Sequence, residues 1–214
     1  MNKSTLGIIV AIIVVFAGFF WLTKPKPATT NSSSKPSSHI EGTGSKNVTL
    51  VEYGDFQCPA CRAYHPIVKS LFDTYKDRIF FQFRNYPLES LHQNARAGAR
   101  AAEAAHLQGK FWEMHDALYE NQQTWGTASD PLSFFTGYAK QVGVSDLTKF
   151  STDYKSTVVN DVINADMKEG GKFSITGTPT FVLDGKKIDN PRDPAAFNKV
   201  IDDEIAKKAA PTPK

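Results

Sequence analysis

The hydrophobic pattern changes period twice along the chain. Leu6 to Leu22 is an unbroken uncharged run of 17 residues, LGIIVAIIVVFAGFFWL. As a helix rising ~1.5 Å per residue it is about 25 Å long, near the least that crosses a bilayer. Residues 1–5 form its short flank, and Phe20 and Trp21 stand at its outer end, where aromatic rings suit the headgroup level. A cleaved signal peptide is the rival reading. Leu22-Thr23-Lys24-Pro25 offers no small-residue cleavage site, so a single transmembrane signal anchor is expected over 6–22. Lys3 on one flank and Lys24 and Lys26 on the other leave the positive-inside count undecided. Residues 23–46 are mostly Ser, Thr, Pro, Lys and Gly. With so little to bury they predict a disordered tether, reaching about 25–30 Å.

Beyond Lys46 the pattern is that of a folded domain. Val48 to Tyr53 alternates as a strand, with Val48, Leu50 and Glu52 on one face. Cys61, Tyr64, Ile67, Val68, Leu71, Phe72 and Tyr75 keep the three–four spacing of a helix with one buried stripe. Ile79 to Phe83 is apolar at all but Gln82, as in a central strand. From Ser90 to Ser174 the spacing is mostly helical, including the Ala-rich stretch Ala95 to Ala105. Thr180–Leu183 and Lys187–Asp189 predict a hairpin around Asp184-Gly185. Asp193 to Lys208 closes the domain as a helix, with Asp193 as cap and Pro194 in the first turn. The order β, α, β, helices, β, β, α is an α/β fold.

Charge narrows the function by exclusion. The 25 basic and 22 acidic residues give a net +3 and are spread along the chain, which is no footprint for nucleic acid. Only two cysteines are present, in the segment Cys58-Pro59-Ala60-Cys61. A loop this short gains little from closure entropy, so the pair is read as reactive rather than as a staple.

The position of that segment supports the reading. It falls where a strand ends and a helix begins, where unpaired N–H groups and the helix dipole stabilise a thiolate. Cys58 is therefore expected to have a pKa below that of a free cysteine and to act as the nucleophile. Pro59 suits the first helical position. Cys61, one turn on, starts the buried stripe and is expected to be the resolving thiol. Glu52, on a core-facing strand position six residues before Cys58, is expected to have a raised pKa and to exchange a proton with Cys61. Thr178-Pro179 stands directly before a strand and marks a turn at its entrance; from the residues alone a trans bond is the plain reading. Zinc takes about four ligands, and there is no second cysteine pair. His65 alone does not complete a site, and His115 shares a face with Phe111 and Leu118 as a core histidine would. No metal is expected.

Taken together, the strand, the buried acid, Cys-Pro-x-Cys, Pro66 inside the helix and Thr-Pro before a hairpin resemble the thioredoxin fold. Tyr86-Pro87-Leu88, the Ala-rich helix and the segment Gly109 to Leu118 are similar to the DsbA-like branch of thiol–disulfide oxidoreductases, in which an all-helical domain interrupts that fold. The resemblance covers about Val48 to Ala206. It implies a first thioredoxin part over 47–89, an inserted helical domain over 90–174, a second thioredoxin part over 175–208 and a short tail over 209–214. It implies a cis proline at Pro179, substrate binding by Thr178 and Pro179, and the family's functional roles for Glu52, Cys58 and Cys61. The family's strong oxidases carry histidine where this chain has Ala60, so a less stabilised thiolate and a milder oxidant are expected here.

The implied activity is disulfide donation to thiol-bearing, unfolded protein substrates outside the cytoplasm, with no cofactor beyond the Cys58–Cys61 disulfide. A quinone-linked membrane reoxidase is the expected partner and a monomer the expected state. Two alternatives stay open: a reductase or isomerase whose pair is kept reduced, and a tethered copper-handling domain, since soft thiolates suit Cu(I).

Overall fold

The structure, a computed structural model, describes residues 34–210. The anchor read at 6–22 and the first part of the tether lie outside them. Among the described residues no helix is long and apolar enough to cross a membrane.

A five-stranded sheet forms the centre, in the order β1-β3-β2-β4-β5. Strand β1 is His39–Glu41, β2 is Val48–Gly54, β3 is Ile79–Asn85, β4 is Thr180–Leu183 and β5 is Lys186–Lys187. The pair β2–β3 is parallel and the other pairs are antiparallel. The parallel pair is joined by helix α1, Pro59–Tyr75, as such a crossover requires. Leu71 of α1 and Phe197 and Ile201 of the closing helix α8 (Pro194–Ala209) bury against Val48, Leu50 and Phe181 of the sheet. Asp193 caps α8 by accepting from Ala196 N at 2.8 Å. Asp184 and Gly185 both take positive φ, 47° and 77°, the conformation of a two-residue hairpin turn. The strand after that turn is Lys186–Lys187, two residues earlier at its end than the spacing predicts.

Between β3 and β4 every regular element is a helix. The helices are α2 (Ala95–His106), α3 (Phe111–Glu120), α4 (Gln122–Trp125), α5 (Leu132–Gln141), α6 (Leu147–Tyr154) and α7 (Thr157–Gly170), followed by one 3-10 turn. Their core is built on Met114, Leu118, Trp125, Phe135 and Phe150, and it extends to Phe56, Cys58, Cys61 and Phe83. The cysteine pair thus belongs to the insert's core as well as to the helix that carries it.

The tether reading fails over its second half. Residues 34–46 are described, and β1 within them pairs with β3, His39 opposite Phe83 and Glu41 opposite Phe81. Polar residues hold it. Ser37 N and Oγ donate to Asp166 at 2.7 and 2.8 Å. His39 Nε2 lies 2.7 Å from Glu103 Oε1, and its ring stacks on Phe111. These partners lie 64 to 129 residues away. A composition argument counts what a segment can bury by itself and misses partners supplied from elsewhere.

Gly54 ends β2 where no side chain fits. A methyl there would stand 2.4 Å from Phe83 Cε2 and 2.9 Å from Tyr119 Oη. Gly54→Ala is expected to destabilise the fold by about 1–3 kcal/mol, the usual result of overpacking, read as a lower Tm.

Candidate active site

Cys58 is the N-cap of α1 and Pro59 its first residue. No side chain caps the helix through a hydrogen bond, and the backbone N–H groups of Ala60 and Cys61 act on the Cys58 sulfur. Pro59 and Ala60 are exposed, whereas Cys58 keeps 6% of its surface and Cys61 none. A partner can therefore reach only the first sulfur. Both cysteines are free thiols in this structure.

The electrostatics divide the pair in the same sense. The Cys58 thiol is lowered to about 5, chiefly by the hydrogen bond from the Cys61 thiol. Burial opposes this, and Thr178 and the N–H groups of Cys61 and Ala60 add to the lowering. Burial pushes the Cys61 thiol well up, reinforced by its bond to Cys58 and by the charge of Glu52. Ala60 thus contributes through its backbone N–H, although its side chain offers nothing.

Glu52 sits in the central strand, opposite Phe83 on β3 and Phe181 on β4, and is 2% exposed. Burial, and then the negative charge of Cys58, push its carboxyl up to about 8. Near neutral pH the ground state is therefore a thiolate at Cys58, a thiol at Cys61 and a neutral acid at Glu52.

The turn before β4 closes the site from the other side. The Thr178–Pro179 bond is cis. Cys58 Sγ lies 3.3 Å from Thr178 O, and Asn190 Nδ2 donates to Pro179 O at 2.7 Å. The structure brings Glu52, Cys58, Cys61 and Thr178-Pro179 together from three separate segments.

Several supporting residues were not singled out by the sequence. Asp55, 1% exposed, organises the loop before α1. Its carboxylate accepts from Gln57 N at 2.8 Å and Leu88 N at 3.0 Å, and lies 2.7 Å from His92 Nδ1. Its carbonyl accepts from Cys58 N at 3.0 Å, and its N–H points at Cys61 Sγ, 3.5 Å away. An Asp three residues before a helix cap is a local turn signal that could have flagged it. Gln122 had no such signal: its Nε2 donates to Phe56 O and Cys58 O at 2.8 and 2.9 Å, across more than 60 residues of chain. Tyr119 likewise comes from the insert, 1% exposed. Its hydroxyl has no hydrogen-bond partner among the described residues. It lines a cavity of about 180 Å³ together with Glu52.

With this geometry in hand, the likeness to known proteins is informative. Residues 34–203 match the family model described as Thioredoxin. A Bacillus cereus protein named probable disulfide bond formation protein D is 31% identical over 169 residues, covering 75% of this chain and 75% of that protein. A Mycolicibacterium gilvum protein named Na(+)/H(+) antiporter NhaA 1 is 29% identical over 214 residues, 94% of this chain. The match takes up 34% of that relative, so this chain spans about a third of its length. Among solved structures, oxidised BdbD from Bacillus subtilis superposes with a TM-score of 0.69 at 23% identity, covering 81% of this chain and 97% of that one. It has the same fold.

Proposed function

Because the chain belongs to the thioredoxin family and is one of its DsbA-like thiol–disulfide oxidoreductases, we propose that it works as a disulfide oxidase outside the cytoplasm. It hands the Cys58–Cys61 disulfide to thiol-bearing proteins. A substrate thiolate attacks Cys58 Sγ, the Cys58–Cys61 bond breaks, and Cys61 leaves with the electron pair. Glu52, neutral near pH 7, supplies the proton that Cys61 takes up. A second substrate thiolate then attacks the substrate sulfur of the mixed disulfide and releases Cys58 as a thiolate. The substrate dithiol is oxidised by two electrons and the enzyme pair is reduced.

The observation that carries the direction is the thiolate at Cys58. Whatever stabilises it stabilises the reduced enzyme, and a stabilised reduced form makes the disulfide a stronger oxidant. A neutral acid beside Cys61 favours the same direction, since it donates a proton rather than removing one. Thr178-Pro179, against the Cys58 sulfur, is the place for an extended substrate segment. The alternative is a reductase or isomerase, and the lack of any charged side chain at Ala60 favours it.

The redox potential of the chain, equilibrated with glutathione, decides between them. A value well above about −200 mV is expected; one near thioredoxin's ~−270 mV would mark a reductase and overturn the oxidase reading. We extend the proposal to an uncleaved anchor at 6–22, a monomer, and reoxidation by a quinone-linked membrane partner. That a similar stretch of sequence occurs within proteins named as antiporters supports a setting beside the membrane.

A further inference from the structure

His65 of α1 and His115 and Asp116 of α3 meet at one oxygen. His65 Nε2 lies 2.9 Å from Asp116 Oδ1, and His115 Nδ1 lies 3.0 Å from the same atom. One donor atom from each of the three residues falls within a 4.8 Å set. We propose that these three side chains form a binding site for a single divalent cation of the zinc class, set between the two helices behind the redox pair.

The donor chemistry selects the ion. Two imidazole nitrogens and one carboxylate oxygen are zinc ligands, whereas calcium and magnesium want six or more oxygens. Ligand atoms bound tetrahedrally at ~2.0–2.1 Å from one ion stand about 3.3 Å apart. The two contacts at Asp116 Oδ1 therefore need to open by only a few tenths of an ångström.

The surroundings fit as well. The side chains of His65 and His115 keep 10% and 6% of their surface, so the ligands are held before an ion arrives. Lys69 Nζ donates to the other oxygen, Asp116 Oδ2, at 2.6 Å. A ligating carboxylate is commonly fixed in this way through its free oxygen. All three residues line the cavity of about 180 Å³ that also reaches Glu52, leaving room for water in the fourth position. His115 Nε2 is buried without a partner among the described residues. When Nδ1 holds the ion, the ring proton resides on Nε2 and donates to water in that cavity. Without an ion the same atoms form a closed proton network, with Asp116 accepting from both histidines and Lys69.

The test is calorimetric titration of Zn2+ into the untagged full chain with the Cys58–Cys61 disulfide formed, so that no thiolate competes. One ion per chain is expected. His65→Ala and Asp116→Asn should each weaken binding at least tenfold, with the circular dichroism spectrum unchanged. Co2+ added to the unaltered oxidised protein gives a second readout independent of any variant, and visible bands of tetrahedral Co2+ are expected. No saturable Zn2+ binding, binding that either variant leaves unchanged, or a spectrum of hydrated Co2+ alone each overturns the site. None of these outcomes bears on disulfide exchange, which is measured separately.

Discussion

Cys58→Ser is expected to reduce disulfide exchange to the uncatalysed background. Its sulfur is the atom that substrate attacks in the oxidised enzyme and the atom that attacks in the reduced one. With a pKa lowered to about 5, it is almost wholly thiolate at pH 7. A free cysteine of pKa ~8.5 is only about 3% thiolate at that pH. A serine hydroxyl neither ionises in this range nor forms the mixed disulfide. Cys61→Ser should behave differently. Cys58 remains reactive and partly exposed, but no second thiol breaks the mixed disulfide, so adducts with substrate accumulate. Non-reducing electrophoresis of each variant after incubation with a peptide that carries an intermolecular disulfide, which the remaining thiolate can attack with release of one peptide thiol, separates the two outcomes. Adducts that form equally in both variants would sink the assignment of nucleophile and resolver. The hydrogen bond from the Cys61 side chain is the largest influence on Cys58, so Cys61→Ala, which leaves no donor there, should raise the Cys58 pKa, read by thiolate absorbance.

How much of this was legible in the sequence depends on how local each signal is. Pro59 at the first turn of α1 and the Asp193 cap of α8 report their own helix ends, and both are where the spacing puts them. The alternation that puts Glu52 with Val48 and Leu50 is local too, and it fixed which face the carboxylate takes. Burial then follows from the strand's central place, which needs partners on both sides. The second layer of the site was not legible. Tyr119 and Gln122 reach the cysteines only because the insert packs its core onto Phe56 and Phe83. His65 and Asp116 stand 51 residues apart, on helices whose periodicity says only that each has a buried face. The error over residues 34–46 has the same origin, since Ser37 and His39 are ordinary tether residues until Asp166 and Glu103 are folded against them.

Glu52→Gln is expected to raise stability at neutral pH while slowing exchange, because the carboxyl is held in the fold at a cost. Its folded pKa, about 8, lies above the unfolded value of 4.5. Between those values the folded state keeps a proton that the unfolded state has lost. Stability therefore falls as pH rises from about 4.5 to about 8, by ~1.4 kcal/mol per unit. That amounts to about 3 kcal/mol at pH 7 and about 5 kcal/mol above pH 8, to order of magnitude. Glutamine matches the shape and never ionises, so it removes the pH-dependent part. Thermal unfolding of the reduced proteins at pH 5, 7 and 9 should show the variant gaining on the parent at each step. An equal difference at all three pH values would mean that Glu52 is not the buried acid described here. The same substitution removes the proton donor for Cys61. Losing a positioned general acid typically slows its step by 10²–10⁴-fold. The loss should fall on the step in which Cys61 leaves, while attack of reduced Cys58 on a model disulfide slows much less. A residue that only shaped the pocket would slow both steps alike, so the ratio of the two rates, rather than either alone, identifies Glu52 as the group that handles the proton.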